Sequence, residues 1–150
     1  KDNSFNASHN AKERIYEYKI INREGALSLY KNKAWHIKKK LNIQDLKNGA
    51  KILEGTHDFS TFRSASCSAK SPVKKMNSVS IKKKDDEVII TFKSKSFLQN
   101  QVRSMVGSLK YLSCGNWSLD NFKRVLKSKK RSECAPPAPA CGLYLKNIKY

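Results

Sequence analysis

The sequence predicts an α/β chain of the α+β kind, with a mixed, largely antiparallel sheet and helices packed on one of its faces. Two-residue apolar alternation and helical apolar spacing both occur, and the two interleave along the chain. Two of the alternating runs are separated only by a short charged turn, the mark of an antiparallel hairpin. No Rossmann or P-loop glycine pattern accompanies them, which removes the commonest reason to expect a parallel, doubly wound sheet. With 150 residues, no internal repeat and no long linker, residues 1–150 are read as a single domain.

The elements follow in order. "RIYEYKII" places Tyr16, Tyr18 and Ile20 on one side and Glu17 and Lys19 on the other, the pattern of a half-buried strand with both tyrosines pointing the same way. "NIQDLKNGAKILEG" brings Ile43, Leu46, Ala50 and Leu53 onto one helical stripe, with Asn42 as N-cap and Gly55 just past the end. "NSVSIKKKDDEVIITF" alternates at Val79 and Ile81, turns through Lys84 to Asp86, and alternates again at Val88, Ile90 and Phe92.

"SFLQNQVRSMVGSL" reads as a helix opened by a capping box between Ser96 and Gln99, with Leu98, Val102, Met105, Val106, Leu109 and Leu112 on its apolar face. Ser118 starts a further helix through Leu119, Phe122, Val125 and Leu126. "APPAPACG" is an extended loop, because each proline fixes φ and removes a backbone donor. "LYLKNIKY" closes the chain as a strand.

Charge points to the partner. Lys and Arg number 31 against 12 acidic residues, a formal charge of +19, and such an excess favours a polyanion. The basic residues recur at Lys38–Lys40, Lys74–Lys75, Lys82–Lys84 and Lys127–Arg131 rather than in one tail, as expected of a broad folded basic face. No apolar run approaches a membrane span and no signal-peptide core precedes the first strand, so no membrane partner and a cytoplasmic location are expected. The four cysteines form no C-x-x-C pair and the three histidines fall at no zinc-finger spacing. They are read as reduced thiols with no metal. The chain opens on Lys1 rather than Met, and is read as a piece of a longer protein.

Arg103 is the unusual residue of the helix that contains it. It lies at the border of the apolar stripe, beside Val106 and on the same side as Gly107, which has no side chain. The helix alone leaves two readings open, an arginine reaching along apolar surface to water or a functional cation.

Several stretches occur together in order: "FNASHNAKERIYEYKI", "GTHDFSTFR", "SPVKKM", "FLQNQVRSMVGSL" and "APPAPACGLYL". In this combination the chain resembles the second half of the tRNA pseudouridine synthase A family, from about Phe5 to Tyr150. Asn6, His9 and Pro137 depart from the family's usual residues, at positions without assigned chemistry. The resemblance implies a pseudouridine synthase-like fold and an isomerase that needs no cofactor. It also implies a nucleophilic aspartate in a G-R-T-D-x-G segment, which these 150 residues do not contain. That aspartate is expected upstream, which leaves no catalytic nucleophile in this chain and an inactive fragment when it stands alone. Asp58, in a "GTHDF" turn context, is read as a turn or cap carboxylate rather than a nucleophile.

The same resemblance assigns two site residues. Tyr16 matches the tyrosine that binds substrate by packing on the flipped uracil, where an aromatic face replaces lost base stacking. Arg103 matches the arginine that supports the catalytic aspartate. Tyr18 keeps the reading of a core strand tyrosine. The partner implied is tRNA, at neighbouring uridines of the anticodon stem-loop, and the working form implied is a homodimer. The alternative from another class is a non-catalytic basic RNA-binding module, which explains the charge but not the joint "QVRSMVG" and "GLYL" pattern.

Overall fold

The computed structural model describes residues 10–25 and 32–150, so Phe5, Asn6 and His9 lie outside the described residues. In chain order the elements are β1 (Glu13–Asn22), β2 (Trp35–Ile37), α1 (Ile43–Leu53), β3 (Gly55–Asp58), β4 (Val73–Lys84), β5 (Glu87–Ser94), α2 (Gln101–Ser113), α3 (Leu119–Ser128) and β6 (Leu143–Lys149). The strands form one sheet in the order β2-β1-β5-β4-β3, with β6 also on β1. Only the β1–β2 pairing is parallel, so the sheet is mixed and largely antiparallel.

The central strand β1 has one border fully used by β5 and the other divided. Residues 13–18 pair with β6, and residues 20–22 pair with β2. Asn22 secures the junction: its Nδ2 donates to the carbonyls of Ile37 and Lys39, and its Oδ1 accepts from the Leu41 amide. That polar anchor delivers the chain from β2 into α1, where the Asn42 side chain caps the helix by accepting from the Asp45 amide at 3.0 Å.

Alternation decides which face is covered. Tyr18, Ile20, Val88, Ile90 and Phe92 are buried with Leu46 and Leu53 of α1, Met105 and Leu109 of α2, and Phe122 of α3. The opposite face carries Glu13, Glu17 and Lys19, in ion pairs with Lys149, Lys146 and Glu87. A sheet apolar on one side and ionic on the other takes its helices on the apolar side. The predicted hairpin is β4–β5, closed by Asp85 and Asp86, with Asp85 at φ 53°. An aspartate tolerates that left-handed turn position better than most side chains. Ser118 caps α3 as expected, accepting from the Asn121 amide at 3.1 Å.

One predicted boundary is displaced. There is no capping box between Ser96 and Gln99, because α2 begins only at Gln101. Ser94 Oγ donates to the Lys75 and Ser96 carbonyls and holds the chain extended beyond β5. Asn100 then turns it at φ 63°. The Gln101 side chain accepts from the Leu98 amide at 2.8 Å, so Leu98 is buried ahead of the helix rather than within it. β2 and β3 had no sequence forecast, being three and four residues long. No helix among the described residues is long and apolar enough to cross a membrane.

Candidate functional site

The proline segment from Ala135 to Pro139 lies directly across α2. Between residues 136 and 139 only Ala138 has a backbone N–H, since the other three are proline. That single donor is used on the Arg103 carbonyl, at 2.9 Å. The Ala138 carbonyl in turn accepts from Arg103 Nε at 2.7 Å. One alanine, fully buried, therefore grips the same arginine at its backbone and its side chain. The Nε contact leaves the outer edge of the guanidinium, with its two terminal nitrogens, as the part that a second partner can meet. Among the described residues no carboxylate forms an ion pair with it.

Gly107 explains how close the segment sits. A Cβ at this position would lie 2.0 Å from the Pro136 carbonyl oxygen, so the bare side of α2 is a seat for the loop. At its far end the segment meets β1. Tyr18 Oη donates to the Pro139 carbonyl at 2.5 Å, and a Cβ at Gly142 would stand 2.7 Å from the Tyr18 ring. Burial pushes the Tyr18 phenol well above its ordinary value; the Cys141 thiol adds to the shift and the Arg103 charge opposes it. Tyr18 is thus a permanent hydrogen-bond donor within electrostatic reach of Arg103.

Tyr16 shares the helix-bearing face of β1 with Tyr18, two residues away, opposite Phe92 on β5 and Leu145 on β6. Unlike Tyr18 it is only partly buried. The Phe97 ring meets it edge to face, with centroids 5.1 Å apart. Leu145 is half exposed, which leaves an apolar border beside the tyrosine. Tyr16 and Arg103 therefore lie on one side of the sheet, linked through Tyr18 and the proline segment.

Asp58 is placed as the sequence indicated. Its Oδ1 accepts from the Ser60 amide at 2.9 Å, a carboxylate turn that leads through Phe59 into the short 3-10 turn Ser60–Phe62. Burial would raise its carboxyl, but the hydrogen bonds from Ser60 and the charges of Lys129 and Arg63 outweigh burial and hold it below the ordinary value. A cleft of about 750 Å³ at the C-terminal end of β1 is lined by charges of both signs, Arg23, Lys38, Lys40 and Lys83 with Glu24, Asp85 and Asp86, and by neither Tyr16 nor Arg103. Lys38–Lys40 and Lys82–Lys84 are exposed around it, and Lys123, Lys127, Lys129 and Lys130 form a second exposed group at α3 and just beyond. None of these lysines is in an ion pair among the described residues.

Sequence reasoning missed Phe97, Ala138 and the hydroxyl of Tyr18. The A-P-P-A-P run held a signal for Ala138, as the one donor among prolines, but nothing in the sequence indicates which acceptor it meets.

A mixed sheet with one covered face, an arginine clasped by a proline segment and an adjoining tyrosine on the central strand form the setting in which the comparisons with known proteins fall. The chain belongs to the tRNA pseudouridine synthase family, whose sequence profile matches residues 50–150. It is 60% identical over 146 residues to the tRNA pseudouridine synthase A of Pelagibacter ubique (strain HTCC1062), covering 97% of this chain and 59% of that protein. With the proteins of the same name from Xanthobacter autotrophicus and Maricaulis maris the identities are 45% and 44%, over 98% and 97% of this chain and 60% and 59% of theirs. The chain thus spans about 60% of the length of the curated relatives it matches.

Proposed function

We propose that this chain is the part of a tRNA pseudouridine synthase that binds tRNA and holds the uracil and the aspartate's cationic partner, with the nucleophilic aspartate supplied by a segment outside these 150 residues. The observation that carries the reading is the Ala138 clasp, which holds Arg103 at Nε and leaves its two terminal nitrogens for a second partner, on the side of the sheet that also carries Tyr16.

The reaction is an isomerisation. The bond from the sugar to a ring nitrogen breaks, and a bond from the same sugar carbon to a ring carbon forms. The hydrogen lost from that carbon is matched by one gained on the nitrogen, so no redox partner or energy source is consumed. A carboxylate adds covalently and leaves again. Arg103 keeps that carboxylate ionised and aimed, because an adjacent guanidinium favours the charged form. Tyr16 receives the uracil once it has left the helical stack. The substrate is tRNA at neighbouring uridines of the anticodon stem-loop, the exposed lysines contact its phosphates, and the enzyme works as a cytoplasmic homodimer.

The test compares the intact protein with the isolated 150-residue chain on the same tRNA. The intact protein is expected to form pseudouridine. The isolated chain is expected to bind tRNA with an affinity that falls by orders of magnitude from low to moderate salt, and to convert nothing. Pseudouridine formed by the isolated chain would remove the need for an outside aspartate. Binding without conversion by the intact protein would leave a non-catalytic RNA-binding module.

A further inference from the structure

We infer that Tyr18 is a positioning residue for Arg103, acting through the proline segment: its hydroxyl fixes Pro139 and thereby the Ala138 clasp that aims the guanidinium. The inference rests on the reading of Arg103 as the partner of a catalytic carboxylate.

Three carbonyls of the segment are committed in turn. That of Pro136 faces the bare side of α2 at Gly107, that of Ala138 accepts from Arg103 Nε, and that of Pro139 accepts from Tyr18 Oη. Three prolines in four residues stiffen the backbone between these points, so a displacement at Pro139 is carried to Ala138, its neighbour. The Ala138 amide is the only N–H between residues 136 and 139, so that stretch has no second donor with which to hold Arg103 if that contact shifts. Without the Tyr18 hydroxyl, the contacts that remain at this end among the described residues include the close seat of Gly142 on the ring, the pairing of Leu143 with Tyr18, and the Cys141 thiol on the Ala34 carbonyl at 3.5 Å. All of these lie beyond Pro139, and none fixes its carbonyl.

The tyrosine is suited to the task. It is 0% exposed, its ring is wedged between Gly142 and the edge of Trp35, and it stands on the central strand with neighbours on both sides. A donor on so rigid a support holds its acceptor more closely than a surface side chain can. Tyr16, one strand period earlier, faces the same region and has no such bond to the segment among the described contacts. The "YEY" pair thereby divides its labour, with one ring toward substrate and the other toward the arginine.

The experiment uses the intact protein and the Tyr18→Phe variant, which keeps the ring and removes the hydroxyl. Single-turnover conversion at saturating tRNA is expected to fall about tenfold, the scale of one lost hydrogen bond to a buried carbonyl, while tRNA affinity stays within about twofold because phosphate contacts are untouched. Amide exchange at Ala138 is expected to accelerate. Ser113→Ala is the control: it removes another buried hydroxyl, bonded to the Asn42 carbonyl at 2.8 Å, from the opposite end of α2. It should lower the melting temperature with conversion and Ala138 exchange unchanged.

Wild-type conversion by Tyr18→Phe, or unchanged exchange at Ala138, would overturn the positioning role. So would an equal loss of conversion in Ser113→Ala, which would reduce the effect to general destabilisation. Arg103→Ala, run alongside, separates the two readings. If it converts tRNA normally the role of Arg103 itself fails, whereas an inactive Arg103→Ala beside a normal Tyr18→Phe defeats only the inference about Tyr18.

Discussion

Gly107 of α2 and the Pro136 carbonyl lie so close that a Cβ on the glycine would fall 2.0 Å from the oxygen. No side-chain rotation relieves such a contact, because both partners are backbone. Gly107→Ala should therefore lift the proline segment, at a cost toward the upper end of the roughly 1–3 kcal/mol typical of overpacking, which exceeds the gain of about 1 kcal/mol in helix propensity. Urea unfolding measures the loss, and faster amide exchange at Ala138 locates it. A variant as stable as wild type with unchanged exchange would mean that the loop has slack.

Arg103 should matter for conversion far more than for binding. In the intact protein Arg103→Ala is expected to lose most turnover while retaining tRNA affinity, since the carboxylate proposed as its partner would lose the charge that favours its ionised form. Arg103→Lys should restore only part, because an ammonium has neither the Nε donor that Ala138 accepts from nor the planar fork that holds a carboxylate bidentately. Single-turnover conversion beside filter binding is the measurement. A binding defect large enough to explain the lost turnover would make Arg103 a phosphate contact.

For Tyr16, partly buried against Phe97, Tyr16→Ala in the intact protein is expected to abolish turnover with tRNA affinity nearly unchanged. Base stacking of about 1–3 kcal/mol is lost only once the base has flipped. Tyr16→Phe keeps the ring and is expected to retain most of the rate. Full turnover by Tyr16→Ala would return the residue to a core role.

Two cysteines should differ in reactivity. Backbone hydrogen bonds at Ala69 and Gln99, helped by Arg63, hold the Cys67 thiol below its ordinary value, whereas burial pushes Cys134 above it. The thiolate is the nucleophile, so iodoacetamide at neutral pH should label Cys67 before Cys134, read by peptide mass spectrometry over time. The reverse order would overturn the contrast in thiolate fraction between the two.

The Asp58 carboxyl is held below its ordinary value of 3.8. A lowered folded pKa contributes stability that is complete above the unfolded value and disappears as pH falls through the folded one. Melting temperature should therefore drop as pH falls below 3.8, and Asp58→Asn should show a smaller drop over the same range. An equal drop in both proteins would place the acid sensitivity in other carboxylates.

The amino-acid sequence by itself determined the features set by residues close together in the chain. Asn42 and Ser118 cap their helices across three residues, Asp58 closes a turn across two, and the hairpin turn sits where the charged "DD" interrupts alternation. The same local signals misplaced the start of α2, because the Gln101 side chain reaches back to Leu98 and Asn100 takes the left-handed turn. Tertiary structure alone decided how the candidate site residues are held. Arg103 meets Ala138 across 35 residues and Tyr18 meets Pro139 across 121, and neither pairing has a periodicity to betray it. Gly107 reads on the helix as an empty place and in the fold as an occupied one, because the atom that fills it belongs to a loop 29 residues further along the chain, held there by contacts with Arg103 and Tyr18.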